Sequence, residues 1–192
     1  MKKIVVAGLF LISVLNLFAQ NADQRLDRLL YYSRKTQIDS VQFAAVLKIF
    51  KSLEAKRELD VGVRRFRGDD ESPETVTSIF GKICLKSNNP IAVDEYIKFM
   101  KRQKGSADEQ ISFCFEPLFA KWPDYVLRRI ANDKDLLNQL EWGFVSNHFH
   151  DLTPKTCRSI FFSLNPGIKD LYLKYKKQID YLISGAVADL KS

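Results

Sequence analysis

The chain has 192 residues, 46% of them apolar and 28% charged, and a formal charge of +7. This length and balance fit one globular domain, and with only 8 Gly and 6 Pro the chain is neither collagen-like nor a low-complexity disordered segment. The charge is too mild to identify a polyanionic partner by itself.

Lys2 and Lys3 precede an apolar run from Ile4 to Leu15, and Asn16-Leu17-Phe18-Ala19 follows. A short basic region, an apolar stretch of about a dozen residues and a small residue at the cut point describe a secretory leader. The sequence thus predicts a signal peptide over 1–19, cleaved after Ala19, and a single all-helical domain over 20–192. No Cys directly follows the apolar run, so the lipoprotein route is not expected. No later stretch is apolar enough to span a bilayer. The expected location is periplasmic or secreted, where nucleic acid is not an expected partner. Loss of Lys2 and Lys3 takes the formal charge from +7 to +5.

The first helix of the mature chain is expected over 22–35, with Leu26, Leu29, Leu30 and Ser33 on one side. Asp39 or Ser40 caps a longer one, whose apolar face is read as Val41, Ala44, Ala45, Leu47, Phe50 and Leu53. Ala44-Ala45 predicts a close approach by a neighbouring helix. Residues 60–72, D-V-G-V-R-R-F-R-G-D-D-E-S, break the pattern and read as the longest irregular loop.

Helix starts then recur as a polar cap or Trp followed by Pro, which lacks the N–H that goes unsatisfied in a first turn. Ser72-Pro73 precedes Val76, Ile79, Phe80 and Ile83. Asn89-Pro90 precedes Ile91, Tyr96, Ile97 and Met100. Trp122-Pro123 precedes Tyr125, Val126, Leu127 and Ile130, and Asp133 precedes Leu136, Leu137, Leu140 and Phe144. Thr153-Pro154 opens another helix, and Asn165-Pro166 the last, running close to Gly185. Between them Ser106 and Glu109 form a capping box ahead of Ile111, Cys114, Phe115, Leu118 and Phe119. That segment is read as the central helix, with Pro117 kinking it or ending it near Phe115. Three starts fall 17 residues apart, a spacing that gives two-helix units of tetratricopeptide length without that repeat's signature residues. The expected fold is all-α: an irregular stack of antiparallel helical hairpins, HEAT- or TPR-like or a bundle, with eight or nine short helices.

Candidate sites are sparse. His148 and His150 are the one crowding of metal-ligand types. Two residues apart in a helix they point to nearly opposite sides, so a shared ion needs an extended segment and a third ligand. A solvated helix end is the plainer meaning. Arg64, Arg65 and Arg67 around Phe66 suit an anion such as phosphate or carboxylate, although Asp69, Asp70 and Glu71 can simply pair with them. Glu116, Glu141 beside Trp142, and the Asp69-Asp70-Glu71 run are the candidate acids for a glycan-acting enzyme, which needs two carboxyl groups facing each other across the substrate. Helix-end or surface charge is the plainer meaning for all of them. Lys174, Lys176 and Lys177 among Tyr172, Tyr175 and Tyr181 read as a solvated face. Cys84, Cys114 and Cys157 have no metal spacing and read as buried thiols rather than a disulfide with one spare. No nucleophile elbow or phosphate-cradling Gly loop occurs. The function expected is a binding or scaffold module without cofactor that holds a protein or cell-envelope component. A glycan-acting enzyme using Glu116 or Glu141 is the alternative, and a surface anion or metal binder a third.

Overall fold

The computed structural model describes residues 24–55, 76–103 and 110–191. The leader, the loop 60–72 with Arg64, Arg65 and Arg67, the Ser72-Pro73 start and the Ser106–Glu109 capping box lie outside the described residues. Among those described there are ten helices and no strand: α1 (24–33), α2 (Ser40–Ala55), α3 (Val76–Lys86), α4 (Ile91–Arg102), α5 (Gln110–Lys121), α6 (Pro123–Ile130), α7 (Lys134–His148), α8 (Cys157–Ser163), α9 (Gly167–Leu171) and α10 (Lys176–Asp189). The all-α expectation holds. An isolated parallel bridge, Ile38 with Ser87, ties the α1–α2 connection to the end of α3.

The cap signals work as chemistry. Asp39 accepts a hydrogen bond from the Gln42 N–H at 2.8 Å, and Asp133 accepts one from Leu136 at 3.2 Å. Asn89 accepts from Ile91 N–H at 3.0 Å and Asn165 from Gly167 N–H at 2.8 Å, so each Asn-Pro pair satisfies a donor one residue beyond its proline.

The helices stack in a row, α2 against α3, α3 against α5, α5 against α7, and α7 against α10, while α4 and α6 fill in beside α5. Alpha5 is therefore central, and Phe115, Leu118 and Phe119 on it are fully buried. Phe115 and Phe119, one turn apart, reach two different aromatic clusters. Phe115 stacks on Tyr96 at 6.3 Å, beyond which lie Phe80, Phe99 and Phe50, the last stacked on Phe80 at 3.9 Å. Phe119 meets Phe161 at 5.6 Å, and Phe161 packs edge-on against Phe144 at 5.3 Å. Gly143 lets α7 lie directly on α5, since a Cβ there would run into the Ser112 carbonyl oxygen.

Several expectations need correction. Pro117 neither ends α5 nor stops it near Phe115, because the helix continues to Lys121. A proline at 117 deprives the Phe113 carbonyl of its helical donor. Asn147 of α7 replaces it, donating from Nδ2 to Phe113 O at 3.0 Å and to Glu116 Oε2 at 3.0 Å. The buried face of α2 is Phe43, Val46, Phe50 and Leu53, while Val41 is 81% exposed and Ala44 is also outside. The larger side chains thus set the rotation of that helix. Ile91 likewise faces solvent, while Ala92 and Val93 of the same turn are fully buried. The Thr153-Pro154 segment is a turn, and α8 starts at Cys157. The last segment is two helices, α9 and α10. Tyr175, between them, is buried and donates to Asp124 at 3.1 Å, so the chain turns there to reach α6.

Candidate functional site

Where α3 hands over to α4, α5 to α6, and α8 to α10, the chain makes three turns on one side of the molecule. With α9 they border a shallow, open groove of about 440 Å³. Its walls include Pro90, Trp122, Pro123, Tyr125 and Leu171, with Gly167 among the lining residues. The helix-start signals build it: a proline at a first turn leaves its ring at the end of the helix, facing whatever approaches. Trp122 sits at φ −134°, ψ 63°, a break that separates α5 from α6 and leaves the indole half-exposed.

The two charged residues lining the groove are already engaged. Lys121 donates from Nζ to Leu85 O at 2.6 Å and to Ser87 O at 2.9 Å, binding the carbonyls left open at the end of α3. The same ammonium lies 4.4 Å from the Trp122 ring centroid, and burial holds its pKa below the usual lysine value. Asp124 accepts from Lys174 at 2.7 Å and from Tyr175 at 3.1 Å, and the Lys174 hydrogen bond is the main reason that its pKa is lowered. Tyr125 donates to Asp94 at 2.7 Å, and Arg129 pairs with Asp94 at 2.9 Å, which pins α6 to α4. What the groove offers a ligand is ring and aliphatic surface held on a fixed frame.

The residues singled out from the sequence lie elsewhere. His148 turns inward: its ring packs on Phe144 at 5.3 Å, and Nε2 lies 3.7 Å from Glu116 Oε1, beyond hydrogen-bond reach. His150 is exposed and packs edge-on against Phe149 at 5.8 Å. Among the described residues, no group of three or more His, Cys, Asp and Glu side chains is placed to hold a metal ion. Glu116 is 5% exposed at the α5–α7 interface. Burial raises its pKa, and His148 and the Asn147 amide offset part of that.

Glu141 faces the other way, toward α10. A Cβ on Gly185 would come within 2.8 Å of its carboxyl, so that glycine makes room for the acid. Burial first, and then the hydrogen-bonded Asp189 carboxylate, push Glu141 up to about 7. The same acid helps burial to raise the buried Cys157 thiol. Glu116 and Glu141 therefore belong to different helix interfaces, and neither lines the groove. Cys84, Cys114 and Cys157 are all free thiols; Cys84 and Cys157 are buried and Cys114 is half-buried. Lys174 and Lys176 are exposed and paired, with Asp124 and Asp180.

In the sequence, Pro90, Trp122 and Pro123 stand only as helix punctuation. The available signal was that each start exposes a ring. That these starts share one side depends on the stacking of α3, α5 and α6.

Comparison with known protein families, with curated proteins and with solved structures finds no match to this chain.

Proposed function

We propose that the chain is an exported binding module that holds an extended, apolar segment of a protein partner in the groove of Pro90, Trp122, Pro123 and Leu171. The observation that carries this reading is the internal satisfaction of both lining charges, Lys121 and Asp124, which leaves apolar walls for recognition. Aromatic- and proline-lined grooves suit extended peptides, whose backbone is already stretched and loses little entropy on docking. Export rests on the basic-then-apolar leader over 1–19 and places the partner in the cell envelope or outside the cell. Glu116 and Glu141 of the glycan-enzyme alternative point into two separate interfaces, so that alternative gains no support from their placement.

The test is selection of peptides from a random displayed library on the full chain. Enriched peptides share aromatic or prolyl residues at alternate positions, and their binding shifts the amide resonances of residues 121–125 and 167–171. Leu171→Asp abolishes that binding while the helical circular dichroism is kept. Enrichment of no common motif, together with turnover of a cell-wall glycan fragment by the same preparation, would reverse the assignment.

A further inference from the structure

A second cavity, of about 400 Å³, opens at the other end of α6, where the α6–α7 turn meets α10. Alpha6 is eight residues long, so the two openings stand about 12 Å apart along its axis and are separate sites. The chemistry of this one is different. Lys134 at the start of α7 and Lys177 near the start of α10 line it from two elements, with Asn132 and Gln178 beside them and no acidic residue in the lining. Leu137, nearly buried, and Tyr181 give it an apolar side.

Three nearby acids are already paired with other cations, and Asp135, next to Lys134 in the chain, is exposed and does not line the cavity. Asp133 pairs with Lys101 at 2.8 Å, Asp180 with Lys176 and Arg158, and Asp124 with Lys174. Among the described residues, neither Lys134 nor Lys177 makes an ion pair. The polar frame is fixed without a ligand: Gln178 Nε2 donates to Ala131 O at 3.2 Å, and the Tyr181 hydroxyl donates to Asn138. Two unpaired ammonium groups on a preformed wall, beside an aromatic ring and a leucine, match an anion attached to a flat apolar body.

We propose that the Lys134–Lys177 cavity binds a small organic phosphate monoester, with the phosphate between the two ammonium groups and an aromatic or alicyclic body against Leu137 and Tyr181. Lysine suits this as a compact point charge with rotatable donors, and a monoester offers three acceptor oxygens. The site does not depend on the peptide groove and stands or falls apart from it.

Phenyl phosphate serves as the probe, titrated into the isotopically labelled full chain at low ionic strength, with inorganic phosphate and phenol as controls. The expected result is saturable shifts in the amides of 131–137 and 177–181, with both controls binding more weakly. Replacing both lysines (Lys134→Gln with Lys177→Gln) weakens phenyl phosphate by about tenfold or more, the loss for at least one charge-assisted hydrogen bond. The control pair Lys155→Gln with Lys169→Gln, exposed lysines outside the cavity, leaves its affinity unchanged. Unsaturable shifts spread over every lysine-rich surface would overturn the proposal, as would a Lys134/Lys177 variant that keeps its folded spectrum and binds like the parent.

Discussion

Alpha5 makes two interfaces, and they are built differently. Toward the first half of the chain it offers Ile111, Phe115 and Cys114 to α3 and α4, where aromatic packing dominates and the Tyr96 hydroxyl donates to Ile111 O at 2.8 Å. Toward the second half it buries Ser112 and Glu116 against Gln139, Asn147 and His148 of α7. The next interface out, α7 with α10, buries part of another acid, Glu141. The apolar side draws its stability from packing, and there burial raises the Cys84 thiol well above its usual pKa, with Cys114 adding to the shift. The polar side depends on the hydrogen bonds that Ser112 and Glu116 make with Gln139 and Asn147, because an unsatisfied buried group costs more than a typical hydrogen bond contributes.

The largest effect should come from the apolar side. Phe115→Ala empties a fully buried aromatic site and should cost about 3 kcal/mol or more in denaturant unfolding. A loss under half of that would mean that Phe115 does not support the Tyr96 cluster. On the polar side, Asn147→Ala removes the donor to both Phe113 O and Glu116 Oε2 and should cost about 1–3 kcal/mol. Pairing it with Pro117→Ala sharpens the point. An alanine at 117 restores the helical N–H to Phe113 O, so the two substitutions together should cost less than the sum of each alone. Strict additivity would show that the Asn147 amide does not compensate for the proline.

The smallest effect is in pH dependence, and its sign follows from Glu141. Its folded pKa of about 7 lies above its ordinary 4.5. The stability it allows is fully present below about pH 4.5 and is lost as pH rises through about 7, because the unfolded chain ionises first. The loss is on the order of 1 kcal/mol, since Glu141 is only half-buried and water screens it from Asp189. Glu141→Gln should flatten the slope between pH 4.5 and 7 without moving the stability measured at pH 4 by much. An unchanged slope would locate the titration elsewhere.

The capped starts were legible because each is a local event: Asn89-Pro90, Asp133 and Asn165-Pro166 hold within two or three residues the groups that satisfy one another, and at Trp122-Pro123 the proline alone marks the start. The three core positions of α5 could be read in the same way from their spacing. The failures lie where a distant partner decides. Pro117 is tolerated because Asn147, 34 residues from Phe113, supplies the missing donor. The last segment breaks because Tyr175 reaches Asp124, 51 residues away. Val41 and Ile91 look like core by period alone, yet both face solvent while Phe43, Ala92 and Val93 of the same first turns are buried, so it is the rotation of each helix that puts them outside. The acids Glu116 and Glu141 could be picked out as unusual from their apolar surroundings. Which interface each faces depends on Gly143 and Gly185, whose missing side chains leave room for their neighbours. The groove draws on three stretches of chain, around 90, 122–125 and 167–171, which no local pattern brings together.

Alpha5 holds two aromatic clusters in one cooperative body, through Phe115 on one side and Phe119 on the other. Native-state hydrogen exchange of Phe115→Ala, compared with the parent, tests this most directly. The amides of α3 and of α7 should lose protection together and by the same amount, since both halves share the wall that the substitution weakens. If α7 and α10 keep their full protection while α2, α3 and α4 exchange freely, the two halves are independent units and α5 is not their common support.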